Sequence, residues 1–323
     1  MNSRPLGARS GIEVSEVGLG LWAVAGSDWG PGDDRASLEA IEAALDAGVT
    51  FFDTADKYGD GHSEELLGQA MTGRRERFLV ATKIGWSGYD ERTRTTQYDT
   101  VDKLVAGVEG SLRRLGTDRV EAIQCHIDHL EPNTDVFIEG FRKLEEQEKV
   151  GAWGVSTSDL SLLERFNAEG DCDLLQIDYS ILNRTAEAEI LPYCLENGIG
   201  VIVRGPLAMG MLADKYSATQ AFPEDDFRRA WIEDAAQNAQ FRKDLEVVVG
   251  LRTVVPDDQT MSQFALRFVR SHPAVSTVIP GARDRAQSEA NASAGELPLL
   301  SPEEQEAVDH LVPPGGGRKI WPA

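Results

Sequence analysis

Phe51-Phe52-Asp53-Thr54-Ala55-Asp56-Lys57-Tyr58-Gly59 is the stretch that decides how this chain is read. Apolar residues lead up to an aspartate, and a tyrosine follows five positions later. A short apolar run bounded by turn residues reads as a buried strand, with Gly59 and Gly61 marking the loop beyond it. An acid and a phenol then sit just past the C-terminal end of a strand, where parallel α/β folds keep their chemistry. Two later runs repeat the design. Leu79-Val80-Ala81-Thr82-Lys83 ends in a lysine, and Val120-Glu121-Ala122-Ile123-Gln124-Cys125-His126 ends in a histidine.

Outward from these runs, helical patterns alternate with short apolar segments along most of the chain. Strands are expected at 17–19, 49–53, 78–83, 120–126, 150–156, 174–179, 200–204 and 276–279. Helices are expected at 35–47, 63–71, 100–115, 135–148, 158–168, 186–197, 261–271 and 283–294, with the long stretch before residue 261 irregular. Sequential βα units of this length, with no Pro/Gly/Ser-rich linker, predict a single domain over 1–323. Its fold class is α/β, a closed (β/α)8 TIM barrel, with an open doubly wound sheet as the alternative. Residues 1–15 read as a hairpin that plugs the barrel bottom. Ser301-Pro302-Glu303-Glu304 caps an extra C-terminal helix through Leu311. The tail 312–323 reads as a flexible end, or as a strap closed by the aromatic Trp321.

The formal net charge of −22 excludes whole function classes. So acidic a surface repels nucleic-acid backbones and anionic membranes, and leaves room only for a local basic pocket. No apolar run reaches the ~20 residues that span a bilayer, and no signal peptide is visible. Cys125, Cys172 and Cys194 are odd in number and lack metal-ligand spacing, which predicts a reducing, cytoplasmic setting and no metal site.

Gly18-Leu19-Gly20-Leu21-Trp22-Ala23 fits the G-x-G-x-x-A pattern of a dinucleotide-binding turn. That turn must open a helix at once, so that the helix N-terminus receives the pyrophosphate. Here Gly26, Gly30, Pro31 and Gly32 follow, which describes a loop. Any nicotinamide is bound in another way.

The strand-end residues suit proton transfer. A free phenol, with a pKa of ~10, is a poor acid at neutral pH, and a nearby ammonium favours its phenolate. Lys83 can supply that charge to Tyr58. A lysine ending a buried strand needs a partner, and Asp53 on the adjoining strand is the natural one. A purely structural Asp53–Lys83 ion pair fits the same two residues. His126 adds a fourth polar group at the same face.

At this point the chain resembles the aldo-keto reductase family over nearly its whole length. The residues that carry the likeness are Phe52 through Gly59 with Ser63-Glu64 and Leu67-Gly68, then Thr82-Lys83 and Gln124-Cys125-His126. Gly154-Val155-Ser156, Leu175-Gln176-Ile177-Asp178-Tyr179, Gly205-Pro206-Leu207-Ala208 and Val278-Ile279-Pro280-Gly281-Ala282-Arg283 extend it. The resemblance implies a (β/α)8 barrel that binds NADPH without a Rossmann domain, NADH being disfavoured. It implies hydride transfer to a small aldehyde or ketone, with Tyr58 as acid, Lys83 and Asp53 tuning it, and His126 orienting the carbonyl.

The resemblance also implies cofactor positions. Trp22 and Asp53 lie near the nicotinamide, and Ser156, Thr157 and Gln176 hold its carboxamide. Arg204, Gly205, Pro206, Leu207 and Lys215 line the middle of the nucleotide. Gly281, Arg283, Gln287 and Asn291 hold the adenosine end, and Arg283 suits a 2′-phosphate. Thr157 stands where many members carry Asn, and Ala290 where Glu often precedes Asn291. Trp22, Trp86 and His126 are the substrate-side candidates, with Trp29, Tyr89, Phe227, Trp231 and His129 as further mouth residues. Two other readings share the scaffold: a redox-neutral epimerase or isomerase that retains NADP, and a nucleotide-sensing binding module. The sequence leaves the oligomeric state open.

Overall fold

The fold is that of a computed structural model, described for residues 1–320 except 26–31, 91, 94, 218, 224 and 225. Trp29 and Trp321, two of the aromatics singled out above, lie outside the described residues. The chain opens with β1 (Ser3–Pro5) and β2 (Glu13–Ser15), an antiparallel hairpin. Then follow β3 (Leu19–Gly20), α1 (Asp34–Asp46), β4 (Phe51–Asp53), α2 (His62–Met71), β5 (Leu79–Ile84), α3 (Val101–Leu115), β6 (Val120–Cys125) and α4 (Thr134–Glu146). The second half holds β7 (Val150–Ser156), α5 (Leu160–Phe166), β8 (Leu174–Asp178), α6 (Ile190–Asn197), β9 (Gly200–Arg204), α7 (Ala230–Glu233), α8 (Ala235–Leu251), α9 (Met261–Ser271), β10 (Val275–Val278), α10 (Arg285–Ser293) and α11 (Pro302–Leu311).

β3 through β10 form one parallel sheet in sequential order, eight strands in all. Parallel bridges Val17–Val278 and Gly20–Gly281 join its two edges. The sheet therefore closes as a barrel, and the open-sheet alternative falls. Closure explains the glycine pair that mimicked a dinucleotide turn. A Cβ on Gly18 would stand 2.8 Å from the Phe51 carbonyl oxygen, and one on Gly20 would stand 2.8 Å from that of Ile279. These glycines let backbones meet, and the chain after them turns into a 3-10 segment (Trp22–Ala25) instead of a phosphate-binding helix.

Side chains on a strand return to the same face every second residue. Phe51, Ala81, Ala122, Ala152, Leu174 and Ile202 form one apolar layer inside the barrel. Leu6 and Val14 of the hairpin fill the space that three alanines leave, so the plug is part of the core. Arg9 pins the hairpin to Asp173 at 2.8 Å, and Arg4 pairs with Glu16 at 2.6 Å. Two residues further along the same strands come Asp53, Lys83, Gln124, Gly154, Gln176 and Arg204. The barrel thus changes from apolar to polar in one step toward its C-terminal mouth.

The helices follow their caps. Asp33 accepts from Ala36, Thr100 from Lys103, and Ser301 and Glu304 form a reciprocal capping box on α11. α8 corrects the irregular reading of the stretch before residue 261. Its buried stripe is Phe241, Asp244, Val248 and Leu251, so an aspartate interrupts the apolar period. Asp244 is there for the tail: Arg318 reaches it at 2.5 Å. The tail is docked, not free, as far as Ile320. Arg184 donates from its backbone to Gly316, Arg318 to Leu182, and the Ile320 side chain is buried. Among the described residues no helix is long and apolar enough to cross a membrane.

Candidate active site

Asp53 closes β4 and Lys83 stands near the end of β5, inside the barrel's polar layer. Lys83 is fully buried, and its Nζ donates to Asp53 Oδ2 at 2.6 Å, to the Thr54 carbonyl at 2.9 Å and to Tyr58 Oη at 3.1 Å. Asp53 Oδ1 accepts from Gln176 Nε2 at 2.8 Å and Gln124 Nε2 at 3.3 Å. One buried carboxylate is thus held by three donors from three other strands. His126 follows β6, and its backbone N–H bonds the Ile84 carbonyl at 2.9 Å. Its ring meets the Tyr58 ring edge-on, with centroids 5.8 Å apart. Tyr58 and His126 both keep part of their surface open, whereas Asp53 and Lys83 do not. The four predicted residues therefore form one cluster with its proton-bearing groups facing the mouth.

The electrostatics divide by burial. Burial disfavours the Lys83 ammonium, yet Asp53 and Tyr58 more than offset it, and its pKa lies above that of a free lysine. Burial also pushes the Tyr58 phenol up, and the Lys83 charge pulls it back only in part. This corrects the sequence expectation: Lys83 limits a rise instead of bringing Tyr58 below a free phenol. The phenol accordingly holds its proton at neutral pH. His126 lies well below the ordinary histidine range, through burial first and then the charges of Lys83 and Arg204, so its imidazole is neutral. Its Nδ1 is buried and has no hydrogen-bond partner among the described residues.

Around this cluster the other candidates fall into three groups. Ser156 ends β7 opposite Gln176 of β8. The neighbouring Thr157 hydroxyl donates to the Asp128 carbonyl at 2.7 Å and accepts from the Asp159 amide, so it is engaged in holding its own loop. Arg204 ends β9 beside Asp178, and its charge reaches both Tyr58 and His126. Gly205 has φ +64, and a Cβ there would stand 2.5 Å from Asp178 Oδ1. Pro206 is buried and Leu207 half-buried in the turn that follows.

The second group is cationic. Burial and the like charges of Arg228 and Arg283 push the Lys215 ammonium down, while Asp226 and Asp284 oppose them. Arg228 is paired with Asp226 at 2.5 Å, so the three cations and two aspartates form a mixed cluster, whose excess of positive charge in a chain of net charge −22 suits an anion such as a phosphate. Gly281 and the N-terminus of α10 adjoin this group in sequence. Asn291 donates to the Gly281 carbonyl at 3.1 Å. Both polar ends of Gln287 are taken up locally, by the Arg283 amide and by Asp284, which caps α10. Arg228 is a residue that the sequence reading missed. Its only signal was an arginine pair after the acidic run ending at Asp226.

The third group is aromatic. Trp22 stacks near Tyr58 and Phe227, each at 6.3 Å between centroids. Phe227 continues to Trp231. Across the mouth, Trp86 meets Tyr89 edge-on at 4.6 Å, and Tyr89 Oη lies 3.2 Å from His129 Nε2. Gln124 was also missed as a site residue. Its register opposite Lys83 was the available signal. Among the described residues, no group of three or more His, Cys, Asp or Glu is arranged to hold a metal ion.

A model of the aldo/keto reductase family matches residues 16–313. The chain is 33% identical to aldo-keto reductase YhdN of Bacillus subtilis over 290 residues, 88% of this chain and 86% of that one. A solved glycerol dehydrogenase of Gluconobacter oxydans superposes with TM-score 0.83 at 30% identity, over 99% of this chain and 98% of that one. A Klebsiella pneumoniae aldo-keto reductase solved in complex with NADPH superposes with TM-score 0.72 at 25% identity, with the same coverage.

Proposed function

The chain belongs to the aldo/keto reductase family, and on that premise we propose that it reduces an aldehyde or ketone to an alcohol with NADPH. The observation that carries the reading is Lys83 Nζ lying, fully buried, 2.6 Å from Asp53 and 3.1 Å from Tyr58 in the polar layer of the barrel. In that arrangement Tyr58, which holds its proton at neutral pH, donates it to the oxygen as negative charge develops there. Lys83 stays charged and stabilises the phenolate left behind. Asp53 keeps the ammonium in place, and Gln124 and Gln176 keep Asp53 in place. Neutral His126 lacks the charge to compete with Tyr58 as acid, and serves by hydrogen-bonding the carbonyl oxygen. Such donors act most strongly on the charge that develops in the transition state.

Bound NADPH supplies the hydride that the carbonyl carbon accepts. The residues that fit it are Ser156 and Gln176 at the carboxamide, and Trp22, Arg204, Gly205, Pro206 and Leu207 along the nicotinamide side. Lys215, Arg228 and Arg283 fit the phosphates, and Gly281 and Asn291 the adenosine end. The three-cation group supports NADPH over NADH, because a 2′-phosphate adds charge that only NADPH carries. Thr157, Gln287 and Arg228 are weaker contributors, since their polar atoms already serve local structure.

Tryptophan fluorescence of nucleotide-stripped protein, titrated with NADPH and then NADH, tests the reading. Saturable quenching with NADPH preferred supports it, and silence with both removes it. Tyr58→Phe should then bind NADPH and lose carbonyl reduction. A second reading on the same scaffold is a redox-neutral epimerase that retains its nucleotide, which a tail folded across the mouth would favour. Nucleotide that stays with the protein through purification would favour that reading.

A further inference from the structure

Tyr58 and Lys83 sit on different segments, and their 3.1 Å contact needs both to be held. Lys83 is fixed by a strand ladder. Tyr58 opens a turn in which Gly59, Asp60 and Gly61 all have positive φ, at 58, 52 and 97. Such a run makes no ladder bonds, and a non-glycine residue in it is disfavoured. Asp56, just before the turn, donates its backbone N–H to the Lys83 carbonyl at 3.1 Å and ties the turn's entry to β5, so its exit at Gly61 has to be held from elsewhere.

Glu64 stands one turn further on, in the first turn of α2, and is wholly buried. Its Oε1 accepts from the Thr82 hydroxyl at 2.5 Å, and Thr82 is the residue before Lys83. Its Oε2 takes Arg114 Nε at 2.7 Å and Nη2 at 2.6 Å. Arg114 comes from α3, and its stem lies where a Cβ on Gly61 would be, 2.6 Å from that point. One carboxylate thus ties α2 to β5 directly, while its arginine partner lies beside the last residue of the Tyr58 turn, in the space that a side chain on Gly61 would need. A buried ion pair is often replaceable by apolar residues without loss of stability, so folding energy alone does not call for it. What this pair supplies is direction.

We propose that Glu64 is a positioning residue that acts through Thr82 and Arg114 to set the separation of Tyr58 Oη from Lys83 Nζ. The proposal rests on the reductase reading, since that separation matters only where Tyr58 moves a proton. The charged and titratable groups that face Tyr58 are Asp53 from β4, Lys83 from β5, His126 after β6 and Arg204 from β9. Of these, Lys83 is the largest influence that favours the phenolate. Drawing the pair apart weakens that influence and raises the phenol pKa further. The basic limb of carbonyl reduction then moves to higher pH. Alcohol oxidation, which needs the phenolate, slows at any fixed alkaline pH.

Thr82→Val in the full-length protein removes only the hydroxyl that Glu64 grips. It should lower kcat by about 10- to 100-fold, the range expected for a displaced reacting group. KM for the carbonyl and Kd for NADPH should stay within about twofold, because neither ligand touches Thr82. The basic limb should rise, and Thr82→Ser should restore both rate and limb. If Thr82→Val fails to fold, Glu64→Gln, which keeps the size and removes the charge that holds Arg114, makes the same comparison. Wild-type kcat and limb in the folded variant would overturn the proposal, as would a Thr82→Ser enzyme as slow as Thr82→Val. A wild-type protein that reduces no carbonyl with NADPH would overturn the reductase reading and this inference with it. An active wild type with unaffected variants would overturn this inference alone.

Discussion

Asp56→Asn should stabilise the protein at neutral pH and do nothing at acid pH. Asp56 is buried behind the Tyr58 turn, 5% exposed. Among the described residues its Oδ1 has no hydrogen-bond partner, and its Oδ2 receives a long, 3.4 Å bond from the Tyr98 hydroxyl. Burial first, and the neighbouring Glu64 charge second, push its pKa from 3.8 up to about 7. The sign follows from linkage. Between those two values the folded state binds a proton that the unfolded chain has released, so stability falls as pH rises through the window. Below pH 3.8 both states hold the proton and Asp56 costs nothing. Above about 7 the folded state carries a buried carboxylate and the full cost applies. A shift of about 3 units at ~1.4 kcal/mol each makes that cost about 4 kcal/mol. Asparagine has nearly the same shape, keeps an acceptor for Tyr98 and never ionises. Urea unfolding of both proteins from pH 4 to pH 8 should therefore give a stability difference that grows by about 4 kcal/mol and then levels. Catalysis should survive, because Asp56 holds Lys83 through its backbone N–H, at 3.1 Å to the Lys83 carbonyl. A difference that stays flat across the range would refute the reasoning, and would mean that water or a rearranged neighbour solvates Asp56 in the folded state.

Lys83→Met should abolish turnover and also destabilise the fold by roughly 3–5 kcal/mol, because it strands the Asp53 carboxylate. Adding Asp53→Asn should recover much of the stability and none of the activity, as read by thermal unfolding beside a carbonyl-reduction assay. Arg283→Met should weaken NADPH binding by about 10-fold or more and leave NADH binding nearly unchanged, since each charge-assisted bond lost is worth roughly 1.5–3 kcal/mol. A parallel loss for both nucleotides in a fluorescence titration would place Arg283 away from the 2′-phosphate. Truncation after Leu311 removes the docked tail and its Arg318–Asp244 pair. Nucleotide release measured by stopped flow should accelerate, and an unchanged off-rate would show that the tail only covers α8.

The readable part of the site was readable because of one physical rule. Inside a narrow barrel, a strand position two residues beyond an apolar one shares its face, so a charged residue there is either paired or functional. Asp53 after Phe51 and Lys83 after Ala81 obey that rule in the bare sequence. Gln124 after Ala122 and Gln176 after Leu174 obey it equally, yet an amide at a strand end looks unremarkable until the register sets both against Asp53. α8 was hidden for the opposite reason: Asp244 occupies an apolar position, and its explanation, Arg318, lies 74 residues away. The Tyr58 pKa was misjudged because a charge can be read from sequence, whereas burial belongs to the assembled barrel. The same contrast separates Asp56 from Asp53. The two acids are three residues apart in one motif, and both are buried. One is held by an ammonium and two amides; the other has an oxygen with no partner. Nothing in the motif distinguishes them, so the difference lies in what other elements bring, with Lys83 of β5 reaching Asp53 and the Glu64 charge on α2 bearing on Asp56. That one acid is held by three donors and the other is expected to cost stability is thus a statement about neighbours, and exchanging Asp56 for asparagine measures it directly.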